Sequence, residues 1–268
     1  LLVFLIWYLV GEQDKSHRVP RNFYHHRRRF LVTGSASGVG LHLTRSLLQR
    51  GHYVAACDVN DAGMRRVLNA ADQDSDTVDR LVILHLDVSS VADWKKVLLV
   101  VEKEFGGLDV VLNVAGCLFC NPIQHATDRE VDLQIDVNVK GVIHGTRLCA
   151  QLMLREASPT GHIINVASLA AVAPVASCSL YAASKFACRG FSLAANKDLS
   201  PHGIDVTVLL PDAISTPMVY ENQIETDHGA MAFSGDILSV EDIEKAVMDH
   251  VLLQRPSEYW ISPLSRGP

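Results

Sequence analysis

Residues 30–58 read FLVTGSASGVGLHLTRSLLQRGHYVAACD. Phe30 to Thr33 is the apolar run of a short buried strand. The glycine-rich turn Gly34-Ser-Ala-Ser37-Gly38-Val39-Gly40 follows. Leu43, Leu47 and Leu48 then keep the spacing of an amphipathic helix that stops at Gly51. Tyr53 to Cys57 makes a second strand, which ends on Asp58. Strand, glycine turn, helix and strand in this order form a βαβ unit. Glycines let backbone approach a pyrophosphate, and a helix N-terminus offers it amides and the positive end of a dipole. The spacing is Gly-x-x-x-Gly-x-Gly, not Gly-x-Gly-x-x-Gly. An acid at the tip of the second strand can accept hydrogen bonds from ribose hydroxyls and repels a 2′-phosphate. Asp58 therefore points to NAD rather than NADP.

The alternation continues down the chain. Met64, Val67, Leu68 and Ala71 predict a helix, and Asp72 to Asp76 a polar loop. Leu81 to Leu86 predicts a strand ending on Asp87 and Val88. Ser90-x-x-Asp93 reads as a capping box for a helix that Gly106-Gly107 stops. Val110 to Leu112 is a fourth strand, leading into Asn113-Val-Ala115-Gly116. Thr127-x-x-Glu130 starts a helix, a second runs from Val139 to about Arg155, and Asn138 falls between them. His162 to Val166 and Ile204 to Leu210 are further strands, and Glu258 to Ile261 the last. Ser239-x-x-Asp242 caps one more helix. Alternating strands and helices predict one α/β domain, a doubly wound parallel sheet of the Rossmann type with helices on both faces. Ligands of such sheets bind outside the carboxyl ends of the strands. The glycine turn, Asp58, Asp87, Asn113 to Gly116, Ser168 and Pro211 all fall on that rim.

A second stretch carries chemistry. After the strand ending at Val166 come Ser168 and then Tyr181-Ala-Ala-Ser-Lys185, leading into a helical run from Phe186 to Leu199. If the helix includes Tyr181 and Lys185, they stand at i and i+4 on one face. A free phenol ionises near pH 10 and is a poor acid–base group at neutrality. An ammonium held one turn away favours the phenolate. Ser168 can supply a hydroxyl to a carbonyl oxygen.

Composition sets bounds. The 268 residues carry 48% hydrophobic and 20% charged residues, an ordinary globular composition. A net charge of −6 argues against a nucleic-acid partner. Six cysteines are spread too widely for a disulfide scaffold, and Cys117-Leu-Phe-Cys120 reads as two thiols in a loop rather than a redox pair. The CxxC lacks a second ligand pair, so no metal site is expected. Residues 1–28 are apolar over Leu1 to Val10 and then basic, with Lys15, Arg18, Arg21 and Arg27-Arg28-Arg29 overlapping the start of the domain. A membrane span needs about 20 apolar residues. The run reads either as the end of a longer anchor, leaving the domain on the cytoplasmic side, or as a tail packed on the body or on a second subunit. The expected location is cytoplasmic, or membrane-anchored facing the cytoplasm.

Taken together, Thr33-Gly34-x-x-x-Gly38-x-Gly40, Asp58, Asp87, Asn113-x-Ala115-Gly116, Asn138, Ser168 and Tyr181-x-x-x-Lys185 make the chain resemble the short-chain dehydrogenase/reductase family. The resemblance covers roughly residues 29 to 262. It implies a seven-stranded parallel sheet, a nicotinamide dinucleotide, and a dimer or tetramer built on two long helices. It implies that Gly34, Ser37, Gly38, Val39 and Gly40 hold the pyrophosphate, that Asp58 holds the adenosine ribose, and that Asp87 and Val88 flank the adenine. Asn113, Ala115 and Gly116 would line the nicotinamide side. Tyr181 would be the general acid–base, Lys185 would promote its ionisation and bind the nicotinamide ribose, and Ser168 would orient the substrate oxygen. Asn138 would hold a water linking Lys185 to solvent. Pro211, Ile214 and Thr216 would meet the carboxamide.

Two positions depart from the family pattern: Val114 stands where Asn is usual, and Asp212 where Gly is usual. A glycine there would accept a positive φ, and an inward carboxylate would weaken cofactor binding. The expected activity is hydride transfer between NAD(H) and a secondary alcohol or ketone. Met218, Val219, Tyr220, Met231 and Phe233 in the loop 212–238 suggest an apolar, steroid-, retinoid- or lipid-like substrate. The competing reading is a dinucleotide sensor without turnover. An intact Asn138, Ser168, Tyr181 and Lys185 speak against it, and Asp212 speaks for it.

Overall fold

A computed structural model of the chain describes residues 26–71, 79–157, 159–221 and 236–263. The apolar run Leu1 to Val10, the Asp72 to Asp76 loop and the Met231 and Phe233 positions lie outside the described residues.

The strands are β1 (Arg29–Thr33), β2 (Tyr53–Asp58), β3 (Leu81–His85), β4 (Val110–Asn113), β5 (His162–Val166), β6 (Asp205–Pro211) and β7 (Glu258–Ile261). They form one sheet in the order β3-β2-β1-β4-β5-β6-β7, and every pairing is parallel. The order reverses between β1 and β4, where ligands of open α/β sheets bind. Among the described residues, the α-helices of five residues or more are α1 (Gly38–Gln49), α2 (Asp61–Ala71), α3 (Val91–Phe105), α4 (Asp128–Ile135), α5 (Val142–Met153), α6 (Ser179–Leu199), α7 (Pro217–Glu221) and α8 (Val240–Ala246). Among the described residues, no helix is long and apolar enough to cross a membrane.

The central strands are apolar on both faces because helices cover both. Leu31, Val111, Ile163 and Val206 enter one core with Trp94, Leu98 and Leu152. Their neighbours Phe30, Val32, Val110, Leu112 and Ile164 enter the other, with Leu43, Leu47 and Ile243. The period of two along each strand thus feeds two cores at once.

Local signals in the sequence set several helix ends. Thr127 with Glu130 and Ser239 with Asp242 make full capping boxes. At α3 only the forward bond forms: Ser90 accepts the Asp93 amide, while the Asp93 carboxylate takes Lys96. Gly106 closes α3 in the left-handed conformation.

One junction differs from expectation. The helix expected from Val139 begins at Val142, because Asp136–Gly141 winds as a π-helical turn. Asn138 sits inside that turn, fully buried. Single π turns recur at functional sites, where they aim a side chain that α geometry would turn away.

Candidate active site

The carboxyl ends of six neighbouring strands, β3 to β6, line one cavity of about 430 Å³. At the usual strand spacing that rim extends about 24 Å.

At its centre is the glycine-rich turn. Gly34 and Gly38 hold φ values of 74° and 50°, which side-chain-bearing residues rarely adopt. A Cβ on Gly40 would lie 2.1 Å from the Gly34 carbonyl oxygen. Helix α1 begins here, and its N-cap, Ser37, makes no side-chain cap bond. The first-turn amides therefore lack an intrahelical acceptor beside the cavity, the condition under which a helix end takes an anion. This cradle fits a dinucleotide pyrophosphate.

Asp58 lies at one end. Its carboxylate accepts the Ala36 amide at 3.0 Å and the Asn60 amide at 2.9 Å. Two bonds leave acceptor capacity on a carboxylate. Asp87 and Val88 line the cavity nearby, with Asp87 accepting from the Ser89 amide and hydroxyl. Lys185 is the only Lys or Arg among the described residues of the lining.

Helix α6 brings chemistry to the other end. It starts at Ser179, earlier than the apolar run predicts, so Tyr181 and Lys185 share one helical face. The Lys185 ammonium is 5.4 Å from the Tyr181 ring centroid and donates to the Val166 carbonyl at 3.0 Å. Only 6% of Lys185 is exposed, so its charge acts through poorly screened surroundings. Ser168 accepts the Ala170 amide at 3.1 Å, which leaves its hydroxyl hydrogen as its donor.

Gly34, Ser37, Gly38, Val39, Gly40, Asp58, Asp87, Val88, Ala115, Gly116, Ser168, Tyr181, Lys185, Pro211, Ile214 and Thr216 all line this cavity. Two predicted residues do not. Asn113 turns its amide inward, donating to Asn165 at 2.8 Å in a buried network with Thr146 and Ser192. The β4 end is instead held by Thr33, whose hydroxyl accepts the amides of Val114 and Ala115. Asn138 stands behind the wall. Its Oδ1 accepts from the Cys117 amide, and its Nδ2 donates to the Cys117 carbonyl and to Ser184. Ser184 in turn donates to the Tyr181 carbonyl. Both Asn138 donors are thus used within the protein.

This geometry, with a glycine cradle, an acid on β2 and a Ser–Tyr–Lys group on one rim, is accompanied by sequence similarity. Residues 28–227 match the sequence profile described as short chain dehydrogenase. The chain belongs to the short-chain dehydrogenase family. It is 30% identical over 186 residues to an uncharacterized oxidoreductase of Staphylococcus aureus, covering 69% of this chain and 78% of that one. It is 34% identical over 188 residues to a 3-alpha-(or 20-beta)-hydroxysteroid dehydrogenase of Mycobacterium bovis, covering 70% and 69%. A Novosphingobium aromaticivorans structure assigned to the short-chain dehydrogenases superposes with a TM-score of 0.75 at 27% identity, covering 89% and 82%.

The short-chain dehydrogenase fold also corrects one expectation. Cys117 and Cys120 are not a pair of loop thiols: Cys120 is bonded to Cys178, 58 residues away, just before α6. No local pattern announces a partner that only the fold brings near. Asp212 does not take a positive φ. Its carboxylate accepts the Ala213 amide, and the residue is buried in the cavity wall. Leu118, Val175 and Cys178 are lining residues that sequence reasoning did not single out.

Proposed function

We propose that this short-chain dehydrogenase transfers hydride between NAD(H) and a secondary alcohol or ketone with an apolar frame. The observation that carries the reading is the placement of Tyr181, Lys185 and Ser168 on the same cavity as the glycine cradle and Asp58. When bound, the nicotinamide supplies or accepts the hydride. Tyr181 exchanges the proton with the substrate oxygen. Lys185 holds its ammonium beside the Tyr181 ring, and two of its three ammonium hydrogens remain after the Val166 bond for ribose hydroxyls. Ser168 donates to the same substrate oxygen and fixes its direction.

Asp58 and the absence of any Arg among the described lining residues support NAD over NADP. A 2′-phosphate would face the Asp58 carboxylate, and no Arg of the described lining stands there to receive it. We expect NAD(H) to bind at least tenfold more tightly, about 1.4 kcal/mol. The substrate side, with Leu118, Ala170, Val175, Met218 and Val219, is apolar and supports a steroid-like or lipid-like ligand. The hydroxysteroid activity named for the Mycobacterium bovis relative points the same way.

Fluorescence titration with NADH and NADPH, followed by a panel of apolar secondary alcohols and ketones, tests both statements. Equal or tighter NADPH binding would overturn the cofactor choice. A second reading, a sensor that binds dinucleotide without turnover, draws on the buried Asp212 carboxylate in the cavity wall. Tight NADH binding with no turnover across the panel would favour it.

A further inference from the structure

We propose that the Cys120–Cys178 bond is a reversible redox-modification site that fixes the substrate wall of the cavity. The bond joins the loop after β4 to the residue preceding α6, three positions before Tyr181. Cys178 itself lines the cavity, as do Cys117 and Leu118 at the start of the same loop.

The loop has independent anchors. Asn138 holds the Cys117 amide and carbonyl at 2.9 Å each. Gln134 accepts from the Phe119 amide and donates to its carbonyl. Opening the disulfide therefore frees the Cys120 end while leaving the rest attached. The bond can open without unfolding the domain, and its effect is local to Leu118, Cys178 and Val175.

The two sulfurs are unequal in a way that suits exchange. Cys120 is half-buried, whereas Cys178 is 3% exposed. An incoming thiolate thus meets Cys120 first. Cys178 is then the leaving sulfur, at the N-terminus of the 21-residue helix α6, where no side chain caps the amides. The amides at that end favour negative charge on the leaving sulfur, which opposes the cost of its burial. Cys117 is a poor internal competitor, because burial pushes its thiol up to about 11 and keeps it protonated.

The reductant is a dithiol, either a small molecule or a protein CxxC pair. Its first thiolate attacks Cys120 Sγ, forming a mixed disulfide and breaking the bond to Cys178. Its second thiolate displaces Cys120. Two electrons pass from the dithiol to the cysteine pair, the dithiol's two protons end on the two cysteines, and the dithiol becomes a disulfide. A disulfide oxidant such as oxidised glutathione reverses the sequence.

The statement about substrate rests on the oxidoreductase reading; the statement about the bond does not. The experiment is non-reducing peptide mapping and hydrogen exchange of the full chain, before and after native treatment with dithiothreitol. Expected are a Cys120–Cys178 cross-linked peptide, its loss without denaturant, and exchange of the 120–126 segment accelerated about tenfold or more, with the α1 turn unchanged. Absence of the cross-link, resistance to reduction until the protein is denatured, or unchanged exchange would each overturn the proposal. With an active substrate, reduction should raise KM about fivefold and change the NADH Kd less than about twofold. A KM unmoved by reduction would overturn the effect on substrate. Cys120→Ser and Cys178→Ala, made singly, should each behave as the reduced protein and ignore dithiothreitol. Failure of the oxidised protein to bind NADH would count against the oxidoreductase reading alone, and the exchange data would still decide the bond.

Discussion

Asn138 grips the main chain of Cys117 at both of its polar groups, accepting from the amide and donating to the carbonyl, each at 2.9 Å. Through Ser184 the same amide side chain reaches the backbone of Tyr181. The cavity wall and the helix bearing the acid–base residue are thus fastened by one buried side chain.

Replacing Asn138 by Ala should leave those buried groups without partners. We expect a loss of about 1–3 kcal/mol in stability. Turnover should fall more steeply than stability implies, because Tyr181 loses its brace. Denaturant melts and kcat for the same preparation separate the two effects. Wild-type kcat in a destabilised variant would limit Asn138 to a structural role.

Tyr181→Phe removes the hydroxyl and keeps the ring beside Lys185. Turnover should drop about 10²–10⁴-fold. NADH binding should stay within about threefold. Residual turnover above a tenth of wild type would place the acid–base group elsewhere.

Gly40→Ala forces a Cβ to within 2.1 Å of a backbone oxygen, which cannot swing aside as a side chain would. The turn must distort, and NADH affinity should fall at least about tenfold. Gly190→Ala is the control. It lies in α6 with nothing within 4 Å of a new Cβ, and should be neutral or stabilising by about 0.5–1 kcal/mol. Equal NADH affinities in the two variants would remove the glycine cradle from the binding argument.

Two buried histidines set an acid limit to stability. Burial holds His162 well below the usual imidazole range, with Arg255 adding to the effect. Burial, then Arg50, Arg28 and Arg80, push His52 down to about 4. Both are neutral in the fold, so the unfolded chain binds more protons once the pH passes below about 6.5. Their contribution is whole above that pH and is lost as the pH falls toward 4. At most the two cost about 2.7 kcal/mol per pH unit. Urea midpoints at pH 7.5, 6.5 and 5.5 measure the slope, and His52→Gln should roughly halve it. A flat profile would show that neither ring matters.

Much of the fold was legible because it rests on short-range patterns. Apolar runs located all seven strands, and the glycine turn, Asp58 and the Tyr181–Lys185 spacing located the rim. What escaped depends on distant partners. Asn113 carries no local sign that it turns inward to Asn165, since β4 and β5 must pair first. Cys120 finds Cys178 only after α6 docks. The π turn at Asp136–Gly141 has no composition of its own, and its sequence reads as a boundary between two helices.

That turn also constrains how the chain can vary in length. A π turn contains one more residue than the α turn it replaces. Deleting a single residue there would restore ordinary winding and shift the angular phase of everything on one side by about 100°. Either Asn138 would swing off Cys117, or Gly145 would rotate from its seat against Trp94 and Asn113. The surplus residue is a phase adjuster between two fixed docking points, so substitutions along α4 and α5 should be tolerated far better than a one-residue indel.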